Sequence, residues 1–66
     1  MGIAETRERI LEVLKLRQPA TTPEIARIVG IGAKTMIAHL ACLEEEGRVA
    51  RLGRLNGARA DSWEVV

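Results

Sequence analysis

The chain has 66 residues, of which 47% are hydrophobic and 29% are charged, and its formal net charge is +1. A chain this short forms one domain with one small core, which leaves no room for a deep catalytic cleft. The sequence contains no cluster of metal ligands, no glycine-rich phosphate loop and no nucleophile beside a base. We therefore expect neither an enzyme nor a cofactor.

The cysteine content and the hydropathy of the chain indicate in which cellular compartment the protein is expected. Cys42 is the only cysteine, so an intramolecular disulfide is impossible. No apolar run is long enough for a membrane span, and the charged N-terminus does not look like a signal peptide. We expect a cytoplasmic protein with no membrane partner. Trp63 is the only aromatic residue, which argues against a surface that stacks on nucleic-acid bases.

Hydrophobic spacing predicts three helices, over about residues 4–17, 22–29 and 33–46. The predicted apolar face of the first helix consists of Ile3, Ile10, Leu11 and Leu14. Val13 and Leu16 widen that face, and we interpret them as the edge of the core rather than as an association surface. Gln18 and Pro19 end the helix, because a proline disfavours the helical conformation in the residue before it.

The second and third helices have clear boundary signals. Thr21 and Glu24 match the T-x-x-E capping box at the start of the second helix. Ile25, Ile28 and Val29 are expected to face the core or the adjoining helix, and Gly30 supplies a turn with positive φ. In the third helix the buried stripe is expected to be Met36, Leu40 and Leu43.

Two strands are predicted after the helices, over about residues 48–55 and 60–66, and Asn56-Gly57 indicates a tight hairpin turn between them. Trp63 and Val65 share one face of the last strand and should pack on the helices. Val49 and Arg51 would point the same way under simple alternation. We therefore expect a bulge between Ala50 and Leu52.

Residues 24–49, which read E-I-A-R-I-V-G-I-G-A-K-T-M-I-A-H-L-A-C-L-E-E-E-G-R-V, resemble the helix-turn-helix of DNA-binding proteins. The ending L-E-E-E-G-R-V and the hairpin after it resemble winged helix domains. The predicted fold is therefore an α+β winged helix-turn-helix, with three helices and a C-terminal β-hairpin wing. The chain is also similar in size, in its L-E-E-E-G motif, in its arginine-bearing wing and in Ser62-Trp63 to the short fimbrial regulators of the FaeA/PapI type. This resemblance implies a DNA-binding transcription regulator that acts beside a second regulator.

In such a domain the exposed side of the third helix enters the major groove. The residues expected there are Lys34, Thr35, Ile37, Ala38 and His39. Lys34 can reach guanine acceptors or a phosphate, and Thr35 can donate to a phosphate or touch a thymine methyl. His39 is expected either to contact a phosphate or to lie under the wing, and no second ligand stands at metal-binding spacing from it.

Basic charge is concentrated in the hairpin, where the segment after Glu46 carries four arginines and two acidic residues. Arg51, Arg54 and Arg59 flank the predicted turn and are expected to grip phosphates or enter the minor groove. Suppose that these arginines and Lys34 each neutralise one phosphate. A plot of log affinity against log salt concentration should then have a slope of about −3 to −4. The other interpretation is a charged strand edge that prevents aggregation.

Three functions remain open at this point. The leading hypothesis is a small regulator of transcription that binds double-stranded DNA together with a second regulatory protein or as a homodimer. The motive for a partner is the apolar exposed face of the third helix, since Ile37, Ala38 and Ala41 cannot form hydrogen bonds with base edges. The second hypothesis is a winged helix that binds another protein through this face, without DNA. The third is a structural dimerisation domain that uses Val13 and Leu16.

Overall fold

The computed structural model describes residues 2–66. The elements, in chain order, are α1 (Ile3–Arg17), β1 (Ala20–Thr21), α2 (Thr22–Val29), α3 (Ala33–Glu45), β2 (Val49–Gly53) and β3 (Ser62–Val65). The strands form one antiparallel sheet in the order β1-β3-β2. Three helices and a small antiparallel sheet make the predicted winged helix-turn-helix.

Helix α1 packs on the core through Ile10, Leu11 and Leu14, all of which are buried. The expectation for Ile3 is wrong, because its side chain is 64% exposed. Ile3 precedes Ile10 by about 10 Å along the helix axis and lies past the elements that cover the apolar face. Leu16 is also exposed, since it follows Leu14 by about 200° around the helix, whereas Val13 packs against the core.

Helix α2 begins at the predicted capping box. The Glu24 amide donates to Thr21 Oγ1, and the Thr21 amide donates to Glu24 Oε1, so two free N–H groups of the helix start are satisfied. The helix ends at Val29 and is capped by Gly30, whose φ of +87° is the left-handed conformation that glycine adopts without strain. Ile31 then packs against the core. Ile28 differs from the expectation, because its side chain is exposed.

Helix α3 buries Met36, Leu40 and Leu43, as predicted, and it ends one residue earlier than predicted, at Glu45. Its acidic end is compensated by arginines from other elements. Arg7 of α1 lies 3.6 Å from Glu46, and Arg51 of β2 lies 3.5 Å from Glu44. These two ion pairs reduce the unfavourable interaction between the glutamates and the negative end of the helix dipole.

The sheet is shorter than the predicted hairpin. Strand β2 pairs with β3 from Val49 opposite Val65 to Arg51 opposite Trp63, and the register then shifts so that Gly53 lies opposite Ser62. This shift is the predicted bulge, with Leu52 as the additional residue. Because β2 ends at Gly53 and β3 begins at Ser62, residues 54–61 form a loop, which we call the wing loop.

The wing loop contains the predicted tight turn. Asn56 and Gly57 both have positive φ, 52° and 74°, as a type I′ turn requires. The Ala58 amide donates to the Leu55 carbonyl at 2.9 Å and closes the turn.

The centre of the core is Trp63, which is 1% exposed. Its indole Nε1 donates to Thr22 Oγ1 at 2.8 Å, so the one polar atom of the ring is satisfied inside the protein. This contact joins β3 to the first turn of α2. Within residues 2–66, no single helix has the length and apolar character needed to cross a membrane, and α2 and α3 meet these criteria only as a pair bent by 107° at their turn.

Candidate nucleic-acid interface

A concave surface with a volume of about 270 Å³ lies between the helices and the wing loop. We call it the α3–wing cleft. Its helical side includes Pro23 from α2 and Ala33 and Ile37 from α3, and its other side includes Arg54, Arg59 and Asp61 of the wing loop and Arg51 of β2. The cleft therefore has an apolar helical wall and a second wall with three arginines and one acidic residue.

The start of α3 adds positive electrostatic potential beside the cleft. Gly32 is the N-cap residue and offers no side-chain acceptor, and the first turn of the helix contains no acidic residue. The free N–H groups of that turn and the positive end of the helix dipole attract anions. Lys34 is exposed in the same turn, next to Ala33 of the cleft wall. In DNA, the anions that this arrangement can bind are the phosphate oxygens.

The residues predicted on α3 do not share one environment. Lys34, Thr35 and Ala38 are exposed, as a groove-contacting face requires. Ile37 is 51% exposed, and it follows Ala33 by one helical turn, so both residues line the α3–wing cleft.

His39 lies on the side of α3 that faces α1, and its imidazole is half-buried. Its Nδ1 accepts a hydrogen bond from Arg7 Nε at 3.4 Å. The same Arg7 guanidinium pairs with Glu46. The structure therefore places His39 in a contact between two helices and not under the wing loop. A phosphate contact by His39 stays a prediction.

Arg51 has three partners inside the protein. Its guanidinium lies 3.5 Å from Glu44 and 3.7 Å from Asp61, and its central carbon lies 4.8 Å from the centroid of the Trp63 ring. A cation over an aromatic face is attracted by the ring quadrupole. These contacts join the end of α3, strand β2 and the base of the wing loop. Of the three predicted arginines, Arg51 is thus the one whose charge is already compensated.

Arg54 and Arg59 lie at the two ends of the wing loop, and both are exposed. In the part of the chain that the structure describes, neither forms an ion pair. The bulge at Leu52 and the Asn56-Gly57 turn set the path of the loop between them. Their side chains line the same cleft as Ile37. The fold therefore places two uncompensated cations opposite the helix expected to enter the groove.

Sequence reasoning did not find several of the residues that line this surface. Pro23 and Thr22 reach the cleft because α2 begins beside it, and Asp61 reaches it from the end of the wing loop. A proline in the first turn of α2 was visible in the sequence, but its distance from Ile37 depends on how the helices cross. Across residues 2–66, no three His, Cys, Asp or Glu side chains are grouped in a way that would hold a metal ion.

Comparison with known proteins identifies related sequences and folds. The family model of the bacterial regulatory proteins of the arsR family matches residues 4–50. This range covers all but the first residue of α1, all of β1, α2 and α3, and the start of β2. No curated protein is significantly similar in sequence.

Several solved structures share the fold. The Zalpha domain of PKZ from Carassius auratus, solved in complex with Z-DNA, superposes with a TM-score of 0.85 at 17% identity, and the alignment covers 100% of both chains. The ZitR protein of Lactococcus lactis in complex with DNA superposes with a TM-score of 0.78 at 26% identity, over 92% of this chain and 41% of ZitR. The PcaV transcriptional regulator of Streptomyces coelicolor superposes with a TM-score of 0.84 at 13% identity, over 91% of this chain. The chain spans less than half the length of ZitR and PcaV.

Proposed function

The chain belongs to the ArsR family of bacterial regulatory proteins, which bind DNA and are not enzymes, and we propose that it regulates transcription by placing α3 in the major groove of double-stranded DNA. In this proposal Arg54 and Arg59 hold the phosphate backbone or the edge of the minor groove. Lys34 and Thr35 provide the polar contacts of α3, and Ala38 lies against the groove.

The α3–wing cleft is the observation that carries this proposal. Arg54 and Arg59 face α3 across it, and Lys34 extends from the first turn of α3. Cations on the wing loop and on the first turn of α3 can contact phosphate groups while the helix lies in the groove. The ZitR structure in complex with DNA, at 26% identity, supports the same ligand. The chain belongs to the ArsR family, whereas a closer relation to FaeA/PapI-type regulators stays a hypothesis.

A second candidate is a protein-interaction module that uses the apolar part of α3. It is favoured by the exposure of Ile37, because large aliphatic side chains in a concave surface are typical of docking sites.

Binding to duplex DNA of random sequence separates the two candidates. We expect the purified protein to shift random duplex at low salt and to lose most of that binding at moderate salt, because phosphate contacts depend on counterion release. The measurement is a titration followed by mobility shift or by fluorescence anisotropy. Absence of binding at low salt would contradict the DNA proposal and favour the interaction module.

We also propose that a second copy of the chain or a second regulatory protein completes recognition of the site. Lys34 and Thr35 are the polar groups that α3 offers to bases, since Ile37, Ala38 and Ala41 have no side-chain donor or acceptor. A bidentate contact contributes about 1–3 kcal/mol of discrimination, whereas specific binding exceeds non-specific binding by about 4–10 kcal/mol. One lysine and one threonine fall short of that difference.

The expected result is a modest preference when the protein binds alone. A site selected from random duplexes should be bound less than about a thousandfold more tightly than a scrambled duplex at physiological salt, since about 4 kcal/mol would be needed for more. The two affinities are measured by anisotropy at protein concentrations where sedimentation shows a monomer. A monomer with a preference above a thousandfold would show that no partner is required.

A further inference from the structure

Ile37 is the side chain in the α3–wing cleft whose position the phosphate contacts leave unexplained. It is a large aliphatic residue, it is 51% exposed, and it projects from α3 into a surface with cations on the opposite wall. Ala33 lies one turn before it, and Pro23 of α2 lies beside both. Together these residues form a small apolar patch in a cleft that Arg54, Arg59 and Asp61 also line.

An occupant of this cleft must place an apolar group against Ile37 while anions face the two arginines. Major-groove DNA has this combination, because the C5-methyl group of thymine projects from the base edge between the two phosphate backbones. The small side chains of Ala33 and Ala38 on either side of Ile37 allow α3 to come close to the bases. A protein partner would instead need an apolar anchor with acidic residues on the side of the wing loop.

We infer that Ile37 is a specificity-determining residue that contacts thymine methyl groups, so that the protein prefers thymine-containing duplexes. This inference rests on the proposed function, because it assigns a base contact to the helix that enters the major groove. It also explains how a helix with two polar groups can retain sequence preference. One buried methyl group increases the affinity only about fourfold. This gain is too small to replace the second protein that we propose for site recognition.

Deoxyuridine provides the test, because it differs from thymidine only by the missing methyl group. The probes are two duplexes of equal length with alternating adenine and thymine, or adenine and uracil. We expect the wild-type protein to bind the thymine duplex about fourfold more tightly for each methyl group contacted. Ile37→Ala should reduce the ratio of the two affinities by about fourfold, and its salt dependence should match that of the wild type, since no charge is lost.

Ile28→Ala is the matched control, because Ile28 is also an exposed helical isoleucine and lies outside the α3–wing cleft. This variant should keep the wild-type ratio of the two affinities. Ile37→Val should give an intermediate ratio and guards against an unfolded Ile37→Ala protein, which the emission of Trp63 would reveal.

The outcomes separate this inference from the proposed function. Equal affinity of the wild type for both duplexes overturns the thymine contact but leaves DNA binding through phosphate contacts in place. A ratio of the two affinities that is unchanged in Ile37→Ala overturns the assignment to Ile37. Failure of the wild type to bind either duplex at low salt contradicts DNA binding itself, and with it the inference.

Discussion

Replacing Trp63 with Ala should lower the free energy of unfolding by about 3–5 kcal/mol, the range found when a buried aromatic residue is truncated. Trp63 is 1% exposed, and its ring lies between the start of α2 and the guanidinium of Arg51. A domain of this size is stable by only a few kcal/mol. The variant should therefore be largely unfolded at room temperature, as measured by circular dichroism during urea titration.

Two further measurements separate the contribution of the Trp63 ring to stability from the contribution of its hydrogen bond. Thr22→Val keeps the shape of residue 22 but removes the acceptor of the indole N–H, and it should cost about 1–3 kcal/mol. Thr22→Ser keeps that acceptor and is the matched control. The wild-type protein contains one tryptophan, so its emission maximum reports the burial of this residue directly. An emission spectrum typical of water-exposed tryptophan in the native protein would contradict this placement.

Replacing both Arg54 and Arg59 with Ala should weaken binding to all duplexes alike. Each phosphate contact contributes about 0.9 to the slope of log affinity against log salt, so the slope should become shallower by about 2. At 0.1 M salt the same relation predicts a loss of about 10- to 100-fold in affinity. The measurement is a set of titrations with selected and scrambled duplexes over a range of salt concentrations.

Net charge is controlled by a second pair of substitutions. Lys15 and Arg48 border a separate groove between α1 and the C-terminal residues, which shares no residue with the α3–wing cleft. Lys15→Ala with Arg48→Ala removes the same charge, and it should leave the slope nearly unchanged. If this pair flattened the slope as much as the pair in the wing loop, the DNA contacts would lie elsewhere.

Arg51 provides a contrast within the same hairpin. Its guanidinium already pairs with Glu44 and Asp61, so Arg51→Gln combined with Asp61→Asn removes the contact without a change of net charge. This double variant should keep most of the slope and should alter the emission of Trp63, because the cation over the ring is lost. A slope shallower than that of the wild type by about 0.9 would show that Arg51 contacts a phosphate directly.

Much of the fold was predictable because it depends on residues that are close in the chain. The capping box joins Thr21 to Glu24 across three residues, and the turn at Gly30 depends on the conformation of that residue alone. The buried stripe of α3 follows from its helical period. The bulge was visible as a conflict between the alternation of a strand and the chemistry of Arg51.

The environment of the candidate site depends instead on contacts between residues far apart in the chain. Thr22 and Trp63 are 41 positions apart, and Arg7 and His39 are 32 positions apart. A periodic pattern shows which face of a helix is apolar, but not where a neighbouring element ends, so the exposure of Ile3 was missed. The exposure of Leu16 follows instead from its angle around the helix and was readable from the period. The sequence shows the charge of Arg51, but it does not show its partners, because Glu44 and Asp61 come from two other segments. Local patterns specify conformation and period, but the availability of a side chain to a ligand depends on how the elements pack, because distant segments supply its partners.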